Sequence, residues 1–339
     1  MTETEAFLSG RRTVLRGAAA AGVALPLLTT PTAATARTTA PAPATGRRIR
    51  PDAASLRWLG TSGWRFDFDG RTVLFDPYIT RFRTGLFGPK VPGGPAGFDE
   101  RTELVTDGEL VARHAGRPQL ILVSHSHWDH INDVPHLART TGARVVGTET
   151  TYHLLCALGV DPGQISVVKG GEVLDFDGCT VDVVSSLHSR NARHSYFAPG
   201  SLNAPPAHAP RTISDLPEGD TLAFQLTIGG GPSVFLMGAS DFSERAAEGL
   251  RPDIATVAVP TSTATHRYAP RLLRALGNPA TIVPVHWDDF EEPLSSPPRR
   301  DPSTRLEALL EDVRTYSPAS RVVVPDYRTV YGADMRPLR

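Results

Sequence analysis

The stretch that decides the fold is Ser-His-Ser-His-Trp-Asp-His, residues 124–130, which directly follows the apolar run Leu-Ile-Leu-Val. A short apolar run that ends abruptly in polar residues is typical of a buried strand that stops at a site. His125 and His127 are two residues apart, so both imidazoles leave an extended segment on the same side. Asp129 and His130 need a turn to reach a second position. The spacing therefore indicates two adjacent metal ions, held by the imidazole and carboxylate ligands that zinc favours in hydrolytic sites.

The pattern His-x-His-x-Asp-His resembles the signature of the metallo-β-lactamase superfamily. Upstream, residues 59–64 (Leu-Gly-Thr-Ser-Gly-Trp) and 74–77 (Leu-Phe-Asp-Pro) look like the opening hairpin of one branch. That branch contains ascorbate-6-phosphate lactonase and the phospholipase D that cleaves N-acylphosphatidylethanolamine. Downstream, His188 matches the third histidine of the family's first metal site, and His286 matches the last histidine, on the second site.

The resemblance implies an α/β fold, a four-layer αβ/βα sandwich of two mixed β-sheets with outer helices. The order of patterns agrees, because strand patterns come early as hairpins and later alternate with helical patterns. The resemblance also implies two zinc ions, the first held by His125, His127 and His188 and the second by Asp129, His130 and His286.

Asp129 is the candidate catalytic residue. A water that bridges two zinc ions has a pKa lowered toward neutrality, which provides hydroxide at about pH 7. The Asp129 carboxylate would hydrogen-bond this nucleophile and carry a proton to the leaving group. Asp76 is expected to orient a ligand histidine, although an aspartate before proline is equally typical of a turn.

One departure from the family concerns the aspartate that bridges the two metals, which usually follows a glycine at the end of a late strand. Here residues 238–241 are Gly-Ala-Ser-Asp, so Ala239 takes the bridging position and offers no ligand. Asp241 either reaches the site as a metal ligand or caps a helix that begins near Phe242. Loss of the bridge would weaken dinuclear binding and leave one site poorly occupied.

Two long loops, residues 78–103 and 189–220, are expected to be functional or disordered. The second starts directly after a proposed ligand, which favours a substrate-shaping lid over a solvated excursion. His194 in this lid and His266, which follows an apolar strand, are candidate substrate-binding residues, although lone histidines are more often structural. Trp128 and Trp287 are each expected either to line the cleft or to pack in the core.

The N-terminus resembles a targeting segment. Residues 11–16 (Arg-Arg-Thr-Val-Leu-Arg) form a twin-arginine pattern, and the apolar stretch that follows is too short for a membrane span, which needs ~20 residues. We expect a twin-arginine signal peptide at 1–36, a linker at 37–52 and the hydrolase domain at 53–339. This predicts export by the Tat machinery to the cell envelope or extracellular space, without stable membrane insertion after cleavage. The alternative is a disordered or anchoring N-terminus.

Composition excludes some classes of function. The chain has 35 Lys and Arg against 36 Asp and Glu, so it lacks the basic footprint of a nucleic-acid-binding protein. The positive residues are scattered and form no basic amphipathic helix for membranes. Cys156 and Cys179 make no disulfide framework and are expected to be buried free thiols, with a disulfide between them as the minority alternative.

These observations favour an exported zinc-dependent hydrolase that acts on a phosphodiester, lactone or related ester, on a small-molecule or lipid-like substrate. The alternative is a metal- or ligand-binding protein on the same fold, with catalysis weakened because Ala239 replaces the bridging aspartate. A redox role with a di-iron centre is a third hypothesis. It would need further carboxylate ligands and an electron-transfer domain, and the sequence shows neither.

Overall fold

The computed structural model describes residues 49–87, 97–259 and 264–338. The predicted signal peptide and most of the predicted linker lie outside these residues, so both stay predictions. The strands are β1 (Ser55–Gly60), β2 (Gly63–Phe68), β3 (Arg71–Phe75), β4 (Leu120–Leu122), β5 (Arg144–Gly147), β6 (Ile165–Val167), β7 (Val173–Phe176), β8 (Cys179–Leu187), β9 (Leu222–Ile228), β10 (Ser233–Met237), β11 (Asp241–Phe242), β12 (Ile254–Ala258), β13 (Thr281–Val285), β14 (Arg321–Val322) and β15 (Val330–Gly332). The α-helices are α1 (Gly108–Ala115), α2 (Trp128–Ile131), α3 (Val134–Thr141), α4 (Glu149–Ala157), α5 (Glu244–Ala247), α6 (Tyr268–Ala275) and α7 (Leu306–Tyr316).

The strands form two mixed sheets. The first has the order β15-β1-β2-β3-β4-β5-β6, antiparallel from β15 to β3 and parallel from β3 to β6. The second has the order β11-β8-β9-β10-β12-β13-β14, with β7 also paired to β8, and it is parallel from β10 to β14. Two mixed sheets flanked by helices are the predicted sandwich, and the fold class is confirmed.

Local chemistry sets the helix boundaries. Asp107 caps α1 by accepting a hydrogen bond from the Leu110 amide, and Thr148 caps α4 in the same way through the Thr151 amide. Gly142 ends α3 in the left-handed region at φ 76°, where glycine carries no Cβ penalty. None of the helices in the described ranges is long and apolar enough to cross a membrane.

The core lies between the sheets. Every residue of β4, β12 and β13 is buried, as expected of parallel strands that are covered on both faces. Phe75 on β3 meets Phe224 on β9 edge to face, with ring centroids 6.1 Å apart, so the two sheets pack directly on each other. Both cysteines are free thiols, as predicted. Cys179 is buried, whereas Cys156, also predicted to be buried, is only half-buried.

The sheets bring their strand ends to one edge. Asp76 follows β3, residues 124–130 follow β4, His188 follows β8, Gly238 follows β10 and His286 follows β13. Ligand sites of α/β sheets lie outside the carboxyl ends of the strands. The topology therefore collects residues more than a hundred positions apart in the sequence at one edge of the sandwich.

Gly60 should be more sensitive to substitution than a glycine of similar backbone conformation. Gly60 has φ +80°, and a Cβ there would lie 1.6 Å from Nη2 of Arg81, which forms a buried ion pair with Asp288. Gly70 has φ +72° with nothing within 4 Å. Gly70→Ala should lower the free energy of unfolding by about 1–2 kcal/mol. Gly60→Ala should lower it by roughly 2 kcal/mol more, because the buried pair is disturbed.

Urea denaturation of both variants and the wild type measures this difference. Equal losses for the two variants would show that the buried ion pair tolerates displacement.

Candidate metal centre

A cavity of about 550 Å³ opens at the edge where the strand ends meet. Its floor carries two groups of side chains whose ligand atoms lie within 4.8 Å of one another in each group. The first group is His125, His127 and His188, and the second is Asp129, His130 and His286. The structure thus brings together the six residues that the resemblance implied, in the same two sets.

The turn predicted inside the motif is a short helix. His127 is still extended at φ −65° and ψ 154°, and α2 begins at the next residue. The first helical turn separates Asp129 and His130 from the two preceding histidines. Because α2 starts between the second and third ligands, one continuous segment serves both groups.

The imidazole nitrogens of the first group suit a metal. Nδ1 of His125 lies 2.9 Å from the Ser124 hydroxyl, while its Nε2 is buried with no hydrogen-bond partner in the described part of the chain. Nδ1 of His188 donates to the Ser189 carbonyl at 2.8 Å, and Nε2 of His127 lies 3.4 Å from the Ala198 carbonyl. Such second partners fix the tautomer and leave the other nitrogen to a metal. The orphaned Nε2 of His125 is the kind of buried polar atom that a bound ion would satisfy.

Burial keeps the first group neutral. It lowers the pKa of His125 well below the usual value and lowers that of His127 to about 3, with neighbouring histidines adding to the effect. Burial also lowers the pKa of His188. Neutral imidazoles are the metal-binding form, so this group needs to lose no proton when an ion binds.

The second group is a charged cluster in the absence of metal. Oδ2 of Asp129 lies 3.4 Å from Nε2 of His130 and 3.2 Å from Nε2 of His286. Burial acts to raise the pKa of Asp129, but the charges of His130 and His286 and their hydrogen bonds outweigh it and hold that pKa well below its usual range. Burial acts to lower the pKa of His130, but Asp129 and Asp76 raise it to about 10. A metal ion at this group would therefore displace a proton from His130.

Asp76 holds His130 from the side opposite to Asp129. The fully buried Asp76 carboxylate accepts hydrogen bonds from the Ser124 amide at 2.7 Å, from the Ser124 hydroxyl, and from Nδ1 of His130 at 2.8 Å. The contact predicted for Asp76 is confirmed. It fixes the tautomer of His130 and leaves Nε2 to face the second group.

A buried network that the sequence reasoning missed supports His286. The His286 amide donates to the Thr61 carbonyl at 2.7 Å, and the Thr61 amide donates to Oδ1 of Asp288 at 3.0 Å. Oδ2 of Asp288 lies 3.1 Å from the Arg81 guanidinium. The backbone of His286 has φ +58°, a strained conformation for any residue other than glycine, and this network holds it there. The only feature of the sequence that points to this network is that Asp288 lies two residues after the proposed ligand His286.

Neither role expected of Asp241 is realised. Its side chain accepts from the amide of Phe242 at 2.8 Å and belongs to neither ligand group. Helix α5 begins later than predicted, and Ser243 caps it by accepting from the Ala246 amide. The cause is the pairing of β11 with β8, which places Asp241 opposite Leu187 in a ladder. Ala239, by contrast, lines the cavity with the two groups.

The two candidate substrate-binding histidines lie outside the described cavity lining. His194 is exposed and lies in a turn with φ +57°. Its own backbone carbonyl accepts a hydrogen bond from Arg190. His266 is exposed just before α6. The lid residues that do line the cavity are Ser189, Arg190, Asn191, Ser195, Tyr196 and Phe197.

The two tryptophans near the ligands differ in role. Trp128 lines the cavity, as one of the two alternatives predicted. Trp287 stacks on Trp58 with ring centroids 5.3 Å apart and packs in the core instead.

Comparison with known proteins agrees with this geometry. The model of the β-lactamase superfamily domain matches residues 55–286. The chain belongs to the metallo-β-lactamase superfamily. A UPF0173 metal-dependent hydrolase of Polynucleobacter asymbioticus is 26% identical over 254 residues, covering 73% of this chain and 78% of the relative. A UPF0173 metal-dependent hydrolase of Cupriavidus taiwanensis is 28% identical over 275 residues, covering 79% and 84%.

Solved structures of the superfamily share the fold. The metallo hydrolase Igni18 of Ignicoccus hospitalis aligns with a TM-score of 0.50 at 19% identity, over 80% of this chain and 94% of that one. An isothiocyanate hydrolase from Delia radicum gut bacteria aligns with a TM-score of 0.50 at 17% identity, over 82% and 99%. At these identities the similarity concerns the fold alone.

Asp76→Asn should weaken metal binding at the second group. An amide offers one acceptor oxygen where the carboxylate serves three donors, and it no longer holds the proton on Nδ1 of His130. We expect the affinity for zinc at this group to fall about 10- to 100-fold. Calorimetric titration of metal-stripped protein measures it.

Asp67→Asn is the matched control, because this half-buried carboxylate serves Arg65 and Thr72 and does not line the cavity. Wild-type zinc affinity in Asp76→Asn would mean that His130 needs no carboxylate behind it.

Proposed function

We propose that this metal-dependent hydrolase of the metallo-β-lactamase superfamily holds two zinc ions and cleaves a phosphodiester, a lactone or a related ester. The observation that supports it is the pair of ligand groups facing one cavity. His125, His127 and His188 would hold one ion, and Asp129, His130 and His286 the other. The composition of both groups, imidazole with one carboxylate, suits zinc in a hydrolytic site.

The chain's own groups divide the work of hydrolysis. Zinc bound at these groups would lower the pKa of a water ligand to about 7 and polarise the substrate oxygen that gains charge. The Asp129 carboxylate would accept a proton from the attacking water and deliver it to the leaving group. Asp76 keeps the proton of His130 on Nδ1, and the Asp288 network holds the backbone of His286. In this proposal Asp129 transfers the proton, whereas Asp76 and Asp288 keep the metal ligands in place.

His127→Ala tests this proposal directly. Loss of one of three imidazoles should abolish hydrolysis and reduce the metal content from about two zinc ions per chain, while circular dichroism shows a folded protein. The measurements are elemental analysis of the purified protein and a screen of p-nitrophenyl phosphodiesters and lactones.

The matched control is His136→Ala, on α3 outside the cavity lining, which should keep both metal and activity. Turnover retained in His127→Ala would remove the proposed site. Wild-type protein with neither metal nor turnover would refute the function.

We also propose that residues 1–36 direct export by the twin-arginine route, so that the enzyme meets its small-molecule or lipid-like substrate in the cell envelope or outside the cell. The support is the pattern at residues 11–16 and the short apolar stretch behind it. This route carries folded proteins, which suits an enzyme that acquires its metal before export.

Replacing Arg11 and Arg12 by lysine should retain the protein in the cytoplasm, as measured by cell fractionation. The same replacement at Arg47 and Arg48, a second arginine pair in the predicted linker, is the control and should not affect export. Equal export of both variants would contradict the proposal.

A further inference from the structure

One side of the cavity is aromatic. We call this side the aromatic wall and define it as Phe87, Phe98, Trp128, Phe197 and Phe290, all of which line the cavity. Phe98 and Phe197 meet edge to face at 5.1 Å, Trp128 and Phe197 at 5.2 Å, and Phe87 and Phe290 at 4.9 Å between ring centroids. Together with the contact between Trp128 and Phe290, these contacts join rings from four separate segments of the chain into one surface.

The aromatic wall runs past both metal groups. The ring of Phe197 lies 5.7 Å from that of His127 in the first group, and the ring of Phe290 lies 5.3 Å from that of His286 in the second. Trp128 connects these two ends, with its ring 6.5 Å from Phe290. A substrate group that lies along the wall is therefore beside whichever ion its scissile bond contacts.

The cavity lining is poor in positive charge. Within the described residues, Arg190 is the only lysine or arginine that lines it. The Arg190 side chain is exposed, with its guanidinium 5.3 Å from the ring centroid of Tyr196, and it donates to the His194 carbonyl at 3.4 Å. Sites that recognise phosphate commonly place arginine or lysine against it. Among the described residues the aromatic wall itself carries no cation, so apart from Arg190 only the metal groups could meet a negative charge of the substrate.

Hydrogen bonds in the lid hold the wall in place. The Tyr196 hydroxyl donates to the Glu218 carboxylate at 2.6 Å, and the Tyr196 ring stacks on His188 at 4.6 Å. On the other side of Phe197, the Ala198 carbonyl accepts from the Glu218 amide at 2.9 Å. Phe197 thus lies between two residues that are both anchored to Glu218, so its ring is held in position before any substrate binds.

We propose that the aromatic wall binds an apolar acyl or aryl group of the substrate, and that the substrate is a neutral carboxylic ester or lactone carrying such a group. This inference rests on the proposed hydrolase function and selects one substrate class within it. Water adds to the carbonyl carbon, the bond from that carbon to the alkoxy oxygen breaks, and the leaving oxygen takes up a proton. An ester gives the apolar carboxylic acid and the free alcohol, and a lactone gives a single hydroxy acid.

Methyl esters test the inference, because their leaving group is too small to occupy the wall. We expect kcat/KM of the zinc-loaded protein for methyl hexanoate and methyl benzoate to exceed that for methyl acetate about tenfold or more, since each buried methylene is worth about fourfold. Acid release at constant pH measures all three. Phe197→Ala should bring the ratio of hexanoate to acetate down about tenfold, and Phe197→Leu should retain most of it.

Phe176→Ala is the matched control. Phe176 is also half-buried, lies on β7 outside the cavity lining, and its loss should leave the ratio unchanged. Phe98→Ala removes another ring of the wall, one that lies outside the lid segment, and it replaces Phe197→Ala if circular dichroism shows that variant to be unfolded.

The outcomes separate the two proposals. Turnover of hexyl p-nitrophenyl phosphate without turnover of any methyl ester would overturn this inference and leave the hydrolase standing. Equal rates for the three methyl esters, or a ratio unchanged in both wall variants, would likewise overturn it alone. No metal-dependent turnover of any ester would overturn the proposed function and this inference with it.

Discussion

The junction on which the site depends is the Asp76 carboxylate. It joins the end of β3 to the end of β4 through the Ser124 amide and hydroxyl, and it joins both to α2 through His130. The second sheet reaches this junction at Gly238, where a Cβ would lie 2.0 Å from the Ser124 hydroxyl and 2.9 Å from Oδ2 of Asp76. The approach of the two sheets at this edge therefore requires both a carboxylate and a residue without a side chain.

Around this junction the chain accepts strain and buried charge that would be unfavourable elsewhere. Asp76, Thr61 and His286 have φ values of 41°, 50° and 58°, in the region that favours glycine. Such residues persist only where surrounding contacts fix them, and they cluster at functional sites. The second group adds a buried carboxylate between two imidazoles. A metal ion would replace the proton of His130 in this cluster, so metal binding and the stability of this edge are linked.

The parts of this design that the sequence predicts are those with a local signal. The apolar runs at residues 233–237 and 281–285 predict two strands whose bounds are those of β10 and β13, because strands covered on both faces are nearly continuous apolar runs. Strand β7 was missed because its residues alternate between exposed and half-buried and form no apolar run. The position of Asp241 depends on the pairing of β11 with β8, and Arg81 meets Asp288 across more than two hundred residues. Neither contact leaves a pattern in the neighbouring sequence, and the family motifs alone do not imply them.

The two metal groups differ in what supports them. Three consecutive lid residues contact the first group: Tyr196 stacks on His188, Phe197 packs near His127, and the Ala198 carbonyl meets Nε2 of His127. The second group is supported instead by the buried carboxylates of Asp76 and Asp288, which follow β3 and β13. Among the described residues none belongs to both groups, and Ala239, which lines the cavity beside them, offers no ligand atom. The lid therefore combines two tasks, since the segment that contributes Phe197 to the apolar surface also contacts the ligands of the first group.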